Sequence, residues 1–325
     1  MDPQSSRTSC RFANPLAGGN TSGPAKPVPR CSWKAALALC VCLATGSVHA
    51  APIAVRDALG RSVVLPAAPQ RLVTIFSSNT ELVTSLGLAD RIVGVEQYTR
   101  FPPEVMDKPR VGGRLGFSVD AVVAQRPDLV IVTPARQAAN QLVDPMTRIG
   151  VPVIVLLSRS VGEVLDNIRL IGRATGVPDR GEALAQSLQA RLDAVAQQVA
   201  QRRSPRMVMI TGRVGNGMLL VARADTYTGE AMRMAGGRFA IAGRGAVAQL
   251  SPEAILASDP DVLLFAGTKA ALEDLVQLPG WRDMRAVRDK RAVTVSRSEF
   301  LIPGPRTIDG IESLAKWLGS VEVRP

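Results

Sequence analysis

SVDAVVAQRPDLVIV at residues 118–132 and SPEAILASDPDVLLF at residues 251–265 are one phrase written twice. Ser118 and Ser251, Ala121 and Ala254, Ala124 and Ala257, Pro127 and Pro260, and Asp128 and Asp261 are identical in register. An acid stands third in each copy, Asp120 and Glu253. Each copy reads as a short helix opened by a serine cap, a Pro-Asp corner and a buried apolar strand. One such unit in each half predicts two lobes of like architecture rather than one large domain.

The flanking sequence extends this rhythm. Strands are predicted at Arg71–Phe76, Ile92–Val95, Leu129–Val132 and Val153–Leu157. Helices alternate with them: one capped by Ser77, Ser78 or Asn79 and stopped at Gly87, then Val119–Gln125 and Ala138–Ile149. The βαβα order implies a mainly parallel sheet covered by helices. From Ser160 to about Arg203 no strand signal occurs. Pro178 and Asp179 open a helix over about 178–202, in which Leu184, Leu188, Leu192, Val195 and Val199 form one apolar stripe. Alternation resumes with strands at Met207–Thr211, Met218–Val221, Val262–Phe265 and Ala292–Val295, and a last helix at Pro305–Leu318. The expected organisation is a leader at 1–50, a first α/β lobe at 51–159, a linker with the long helix at 160–204 and a second lobe at 205–325.

The leader sets the chemistry available to the rest. Arg30 and Lys34 precede the apolar run Ala35–Ala44, and Val48-His49-Ala50 offers small residues at minus three and minus one for cleavage after Ala50. The run is too short to span a bilayer, which needs about 20 apolar residues. All four cysteines (Cys10, Cys31, Cys40, Cys42) and the only histidine, His49, lie in this segment. Cys40 and Cys42 lack the small residues before them that a lipoprotein signal wants, so a soluble periplasmic protein is expected. Taking five basic residues and one acid from the 39 and 28 of the whole chain leaves an excess of seven positive charges. The bases are scattered without interleaved aromatics, which argues against nucleic acid and leaves an anionic small ligand open.

At this point the residues resemble a known family, the helical-backbone (class III) periplasmic binding proteins of ABC importers for ferric siderophores, haem and cobalamin. The matching pieces are Asp57–Pro69 (DALGRSVVLPAAP), similar to an opening hairpin, residues 71–95, Tyr98–Val105, Arg110–Gly113, both copies of the repeat, Tyr227–Gly237 and residues 303–315 (PGPRTIDGIESLA). The resemblance implies an α/β fold of two Rossmann-like lobes with mainly parallel sheets, joined by one long backbone helix. Ligand would sit in the gap between the lobes. It also implies that Asp120 and Glu253 dock into arginine pockets of an inner-membrane ABC permease dimer; as first-turn acids they equally suit the helix dipole.

Loops at the carboxyl ends of parallel strands are where such folds hold ligands. They carry the candidate ligand-binding residues Ser78, Asn79, Tyr98, Arg114, Arg213, Tyr227, Arg297, Phe300 and Arg306, with Ser77, Arg100, Thr133 and Arg136 nearby. Arg114, Arg213 and Arg297, drawn from both lobes, are placed to encircle an anionic chelate. Tyr98, Phe300 and Trp281 read equally as core or hinge packing, and Trp317 as core. Without histidine or cysteine the usual zinc, copper or iron site cannot be built, and haem would need Tyr98 or Tyr227 as axial ligand. A complex whose metal is already chelated needs only hydrogen bonds and charge, which favours a ferric siderophore, with cobalamin as the alternative and haem after it. No cofactor is expected, and a monomer is. Ser-His-Asp and Cys-His catalysis is excluded by composition and no phosphate loop occurs, so the chain is not expected to be an enzyme. An envelope adaptor without small-molecule cargo is the remaining class.

Overall fold

The computed structural model describes residues 51–113, 116–133, 139–241 and 247–321, together with Gly23. The leader signals, Cys10, Cys31, Cys40, Cys42, His49, Arg114 and Arg136 lie outside these residues. β1 (Ile53–Arg56) and β2 (Ser62–Leu65) form an antiparallel hairpin. Next come β3 (Leu72–Ile75), α1 (Ser77–Ser85), β4 (Ile92–Val95), the two-residue strands β5 (Gly112–Gly113) and β6 (Gly116–Phe117), α2 (Val119–Ala124), β7 (Leu129–Val132), α3 (Ala139–Arg148) and β8 (Val153–Val155). Strands β4-β3-β7-β8, in that order, make a wholly parallel sheet, the centre of lobe one.

Two helices lead to the second lobe. α4 (Val161–Ala174) is capped by the Ser160 hydroxyl, which accepts from Glu163 N–H. α5 (Pro178–Val199) is unbroken over 22 residues, about 33 Å at 1.5 Å per residue. Leu188, Leu192 and Val195 of its predicted stripe are buried, with Ala185 beside them. α4 is a separate helix in the stretch where the sequence shows no strand signal. It crosses α5 where Gly172 meets Gly181, and a β-carbon on Gly172 would stand 2.9 Å from the Gly181 α-carbon.

Lobe two contains β9 (Arg206–Arg213), β10 (Leu219–Ala222), α6 (Tyr227–Met234), β11 (Arg238–Phe239), β12 (Val247–Leu250), α7 (Pro252–Ser258), β13 (Val262–Ala266), α8 (Lys269–Val276), α9 (Arg285–Arg288), β14 (Ala292–Val295), α10 (Arg297–Phe300) and α11 (Arg306–Ser320). Its sheet runs β12-β10-β9-β13-β14, with β11 beside β9. Here the structure corrects the expectation of strand–helix alternation. β10 is antiparallel to both β9 and β12, because Gly215-Asn216-Gly217 makes a hairpin turn closed by Val214 N–H to Met218 O at 2.8 Å. The other pairings, β9 with β11 and β13 and β13 with β14, are parallel.

The repeated phrase does the same work in both lobes. Ser118 and Ser251 cap α2 and α7 by accepting from Ala121 and Ala254 N–H. Arg126 and Asp259, each just before the proline, have left-handed φ of 48° and 35°. The following aspartate then fixes the neighbouring strand. Asp128 accepts from the N–H groups of Gln70 and Arg71, and Asp261 from Arg206 N–H. Arg71 and Arg206 complete the corner by donating to carbonyls at the helix ends, Gln125 and Arg126 in one lobe and Ser258 in the other.

The apolar core is continuous between lobes. One cluster runs from Leu72, Leu82 and Ile131 through Ile168, Leu188 and Leu192 to Met207, Leu264 and Ile311. The outer faces hold clusters of their own, around Val130 and Ile154's neighbour Val153 in lobe one and around Leu263 and Trp281 in lobe two. The α4–α5 pair joins the lobes by packing against α1 on one side and against α6 and α11 on the other.

Asp261 is buried and also faces Arg285 at 3.2 Å, whereas Asp128 is exposed. Urea unfolding is expected to show Asp261→Ala losing about 2–4 kcal/mol and Asp128→Ala about 1 kcal/mol.

Candidate functional site

Parallel strands bring their carboxyl ends to one edge, and the loops leaving that edge are able to meet a ligand. After β4 the chain forms a loop held by the Arg110 guanidinium, which donates to the carbonyls of Glu96, Thr99 and Met106 at 3.3, 3.1 and 2.9 Å. Arg100 ties the same loop by donating to Gln97 and Thr99 carbonyls. Fixed in this way, Tyr98 is 68% exposed and Phe101 39%. Both are large aromatic surfaces left facing outward at a cost, since burial of such a ring is worth about 2 kcal/mol or more.

Lobe two reaches this loop through Arg306. The Arg306 guanidinium stands 3.9 Å from the Phe101 ring centroid. It also donates to Glu81 Oε2, from Nε at 2.9 Å and from Nη2 at 2.6 Å, while Arg306 N–H donates to Glu81 Oε1 at 3.1 Å. Glu81 lies on α1 and is only 3% exposed. Gly304 makes room for its carboxylate, because a β-carbon there would come 2.9 Å from Oε1. Tyr227 lies beside this clamp. Its hydroxyl pairs with the Thr307 hydroxyl and is within reach of the Glu299 and Ile302 carbonyls. Burial pushes the phenol well above its ordinary pKa, and the Glu81 carboxylate acts in the same direction.

Several predicted site residues are thus placed inside the fold. Phe76, not Ser77, precedes the first turn of α1, and no side chain caps it. Asn79 turns inward instead: its amide donates to Ile75 O at 2.7 Å, and its carbonyl accepts from the hydroxyls of Thr133 at 3.1 Å and Ser78 at 3.5 Å. Ser78 and Asn79 are both buried, and Ser77 donates to Glu96 at 3.3 Å. Phe300 and Trp281 are core residues, and Trp317 is half-buried against the main cluster. Arg306 serves the contact between lobes, and Tyr227 is bonded within lobe two beside it. Tyr98, Arg213 and Arg297 remain exposed. Arg213 donates to Ala271 O, and Arg297 to Thr211 O at 2.6 Å and Ala266 O at 3.0 Å, which sets both guanidinium groups at the carboxyl ends of β9 and β13.

Asp120 and Glu253 occupy the first turns of α2 and α7 and are exposed. Each helix runs back along the strand it precedes, so both acids lie toward the carboxyl edge of their sheets. A hydrogen bond from Ser251 holds the Glu253 carboxyl below the usual range. Asp120 borders a depression of about 590 Å³ that also meets Val123, Arg126, Arg148 and Ile149.

Residues 72–297 match the model of a family described as periplasmic binding protein. The chain belongs to that family. A vitamin B12-binding protein of Salmonella choleraesuis is 27% identical over 260 residues, covering 80% of this chain and 93% of the relative. A periplasmic haem-binding protein from Pseudomonas aeruginosa is 29% identical with a TM-score of 0.68, covering 77% of this chain and 92% of that one. An ABC-type Fe3+-hydroxamate transport protein from Saccharomonospora viridis is 25% identical with a TM-score of 0.66, covering 83% and 100%.

In this periplasmic binding protein the residues that sequence reading did not single out are Glu81, as the partner of Arg306, and Phe101. The signal for the first was Pro303-Gly304-Pro305-Arg306, a rigid turn with a gap in it where a carboxylate fits. Removing one partner of a buried ion pair strands the other. Glu81→Ala is expected to cost about 3 kcal/mol of unfolding free energy, and a Glu81→Ala, Arg306→Ala cycle to give a coupling of about 1.5–3 kcal/mol.

Proposed function

We propose that this protein is the solute-binding component of an ABC importer that captures a ferric siderophore or similar iron complex between its lobes. The observations that support the reading are an exposed aromatic loop after β4 in lobe one, Tyr98 and Phe101, and exposed cations at the carboxyl ends of β9 and β13 in lobe two, Arg213 and Arg297. Aromatic faces cover the apolar body of a chelate, and guanidinium forks meet its carboxylate, catecholate or hydroxamate oxygens. Residues 51–325 contain no histidine or cysteine, so the metal is expected to arrive with its coordination sphere filled. The likeness to the Fe3+-hydroxamate protein supports this reading.

Cobalamin is the second reading, favoured by the same exposed rings and by the likeness to the B12-binding relative. Haem would rest on Tyr98 alone, since the Tyr227 hydroxyl is enclosed by Thr307 and two carbonyls. The protein performs no chemistry on its ligand and needs no cofactor. It works in the periplasm after export by the leader, and the loaded form presents Asp120 and Glu253 to two subunits of a permease.

Calorimetric titration with ferrichrome, a ferric catecholate, ferric citrate, cobalamin and haemin tests the cargo. Micromolar or tighter binding of one ferric chelate is expected, falling at least about tenfold in Tyr98→Ala. Binding of haemin or cobalamin alone would overturn it. In transport assays with the bound chelate, Asp120→Arg or Glu253→Arg is expected to leave affinity within about twofold while lowering uptake. A fall in affinity would instead put these carboxylates in the binding site.

A further inference from the structure

In lobe one the open side of β8 is closed by the chain itself. Val130 N–H donates to Pro152 O at 3.0 Å, so the alternate residues Val153 and Val155 turn their backbone groups away from β7. The turn of the opening hairpin takes them. Ala58 N–H donates to Val155 O at 3.0 Å, the Arg61 guanidinium to Val153 O at 3.1 Å, and Val155 N–H to the Asp57 carboxylate at 3.3 Å. An Asp57–Arg61 ion pair braces that turn.

Lobe two repeats the strand, and no such strap covers it among the described residues. Leu263 N–H donates to Arg291 O at 3.1 Å, the counterpart of Val130 to Pro152. Ala292 and Thr294 therefore carry the outward-facing groups of β14, which is the last strand of its sheet and pairs only with β13 among the described residues. Beside this edge lies a cavity of about 650 Å³ lined by Leu272, Val276, Val293, Val295, Leu314 and Trp317. The strand reads Ala292-Val293-Thr294-Val295, with none of the lysines, prolines or bulges that blunt an exposed edge. Around the cavity stand Lys269, Lys290, Glu273 and Glu299, both signs in balance on a strongly basic chain.

We propose that β14 pairs with β14 of a second copy of this chain, joining two lobe-two sheets into one. The outward groups are self-complementary about a two-fold axis through Val293. Ala292 then opposes Thr294 of the second copy, each such pair exchanging both backbone hydrogen bonds, and Val293 meets its counterpart. An axis normal to the sheet keeps both α11 helices on one face, where the small exposed Ser313 stands beside the open cavity. A rim balanced in sign suits a copy of itself better than a strongly charged partner. The proposal departs from the monomer expected from sequence.

Sedimentation equilibrium of the purified protein from about 1 to about 300 µM tests the pairing. A mass rising toward twice the monomer is expected. Thr294 N–H faces outward, so Thr294→Pro removes no bond within the lobe, and it should weaken the dimer at least about tenfold with an unchanged melting temperature. Thr294→Lys, which alters only an exposed side chain, should do the same and decides the matter if the proline variant fails to fold. A monomer throughout the range, including one whose cavity instead takes up an apolar dye, overturns the proposal. So does a dimer equally tight in both variants.

Discussion

A carboxylate almost wholly removed from water must be matched by donors, and in this protein those donors come from the other lobe. Glu81 on α1 receives the backbone N–H and the guanidinium fork of Arg306 at the start of α11. An ionised carboxylate buried without such partners would cost several kcal/mol, so the two elements cannot part cheaply. The demand spreads outward from there. Gly304 must lack a side chain, the turn before α11 must hold its shape, and Tyr227 and Thr307 must satisfy each other close by. Arg306 then lies over Phe101 and fixes where lobe two stands against the aromatic loop.

The helix pair between the lobes acts with this clamp. α4 and α5 touch through glycines and supply apolar residues to a core that is continuous across both sheets. Arg191 of α5 also reaches Asp309 and Glu312 of α11 at 2.6 and 2.5 Å. Those charges are partly exposed, and such pairs contribute about 1 kcal/mol or less. Shared core and buried clamp dominate. A binding protein built on them is expected to hold a gap of nearly fixed width, in which affinity would come from complementarity to a preformed ligand rather than from closure around it.

The elements legible in sequence were those set by local chemistry. The Ser-x-acid helix, the Pro-Asp corner and the apolar strand after it recur because each is stabilised within a few residues, and the α5 stripe is visible because burial imposes its period. What stayed hidden depended on distant partners. Ser78 and Asn79 look like cap residues or ligand donors until Ile75 and Thr133 are seen to use Asn79. Tyr227 and Phe300 look like cleft aromatics until the turn before α11 encloses them. Arg306 looked like a ligand-binding cation because nothing near it in sequence discloses Glu81, 225 residues away. The β10 hairpin rests on Gly215-Asn216-Gly217, a turn signal set inside a run whose other elements alternate strand and helix.

Rigidity of the lobe arrangement is the central claim, and residues 51–325 contain no cysteine, so labels can be placed cleanly. Leu59 in lobe one and Leu278 in lobe two are both exposed. Pulsed electron–electron resonance between spin labels at Leu59→Cys and Leu278→Cys in the ligand-free protein measures the distribution of lobe separations. A single narrow population is the predicted result. A broad distribution, or two populations, would mean that neither clamp nor helix pair holds the lobes, and would contradict the account.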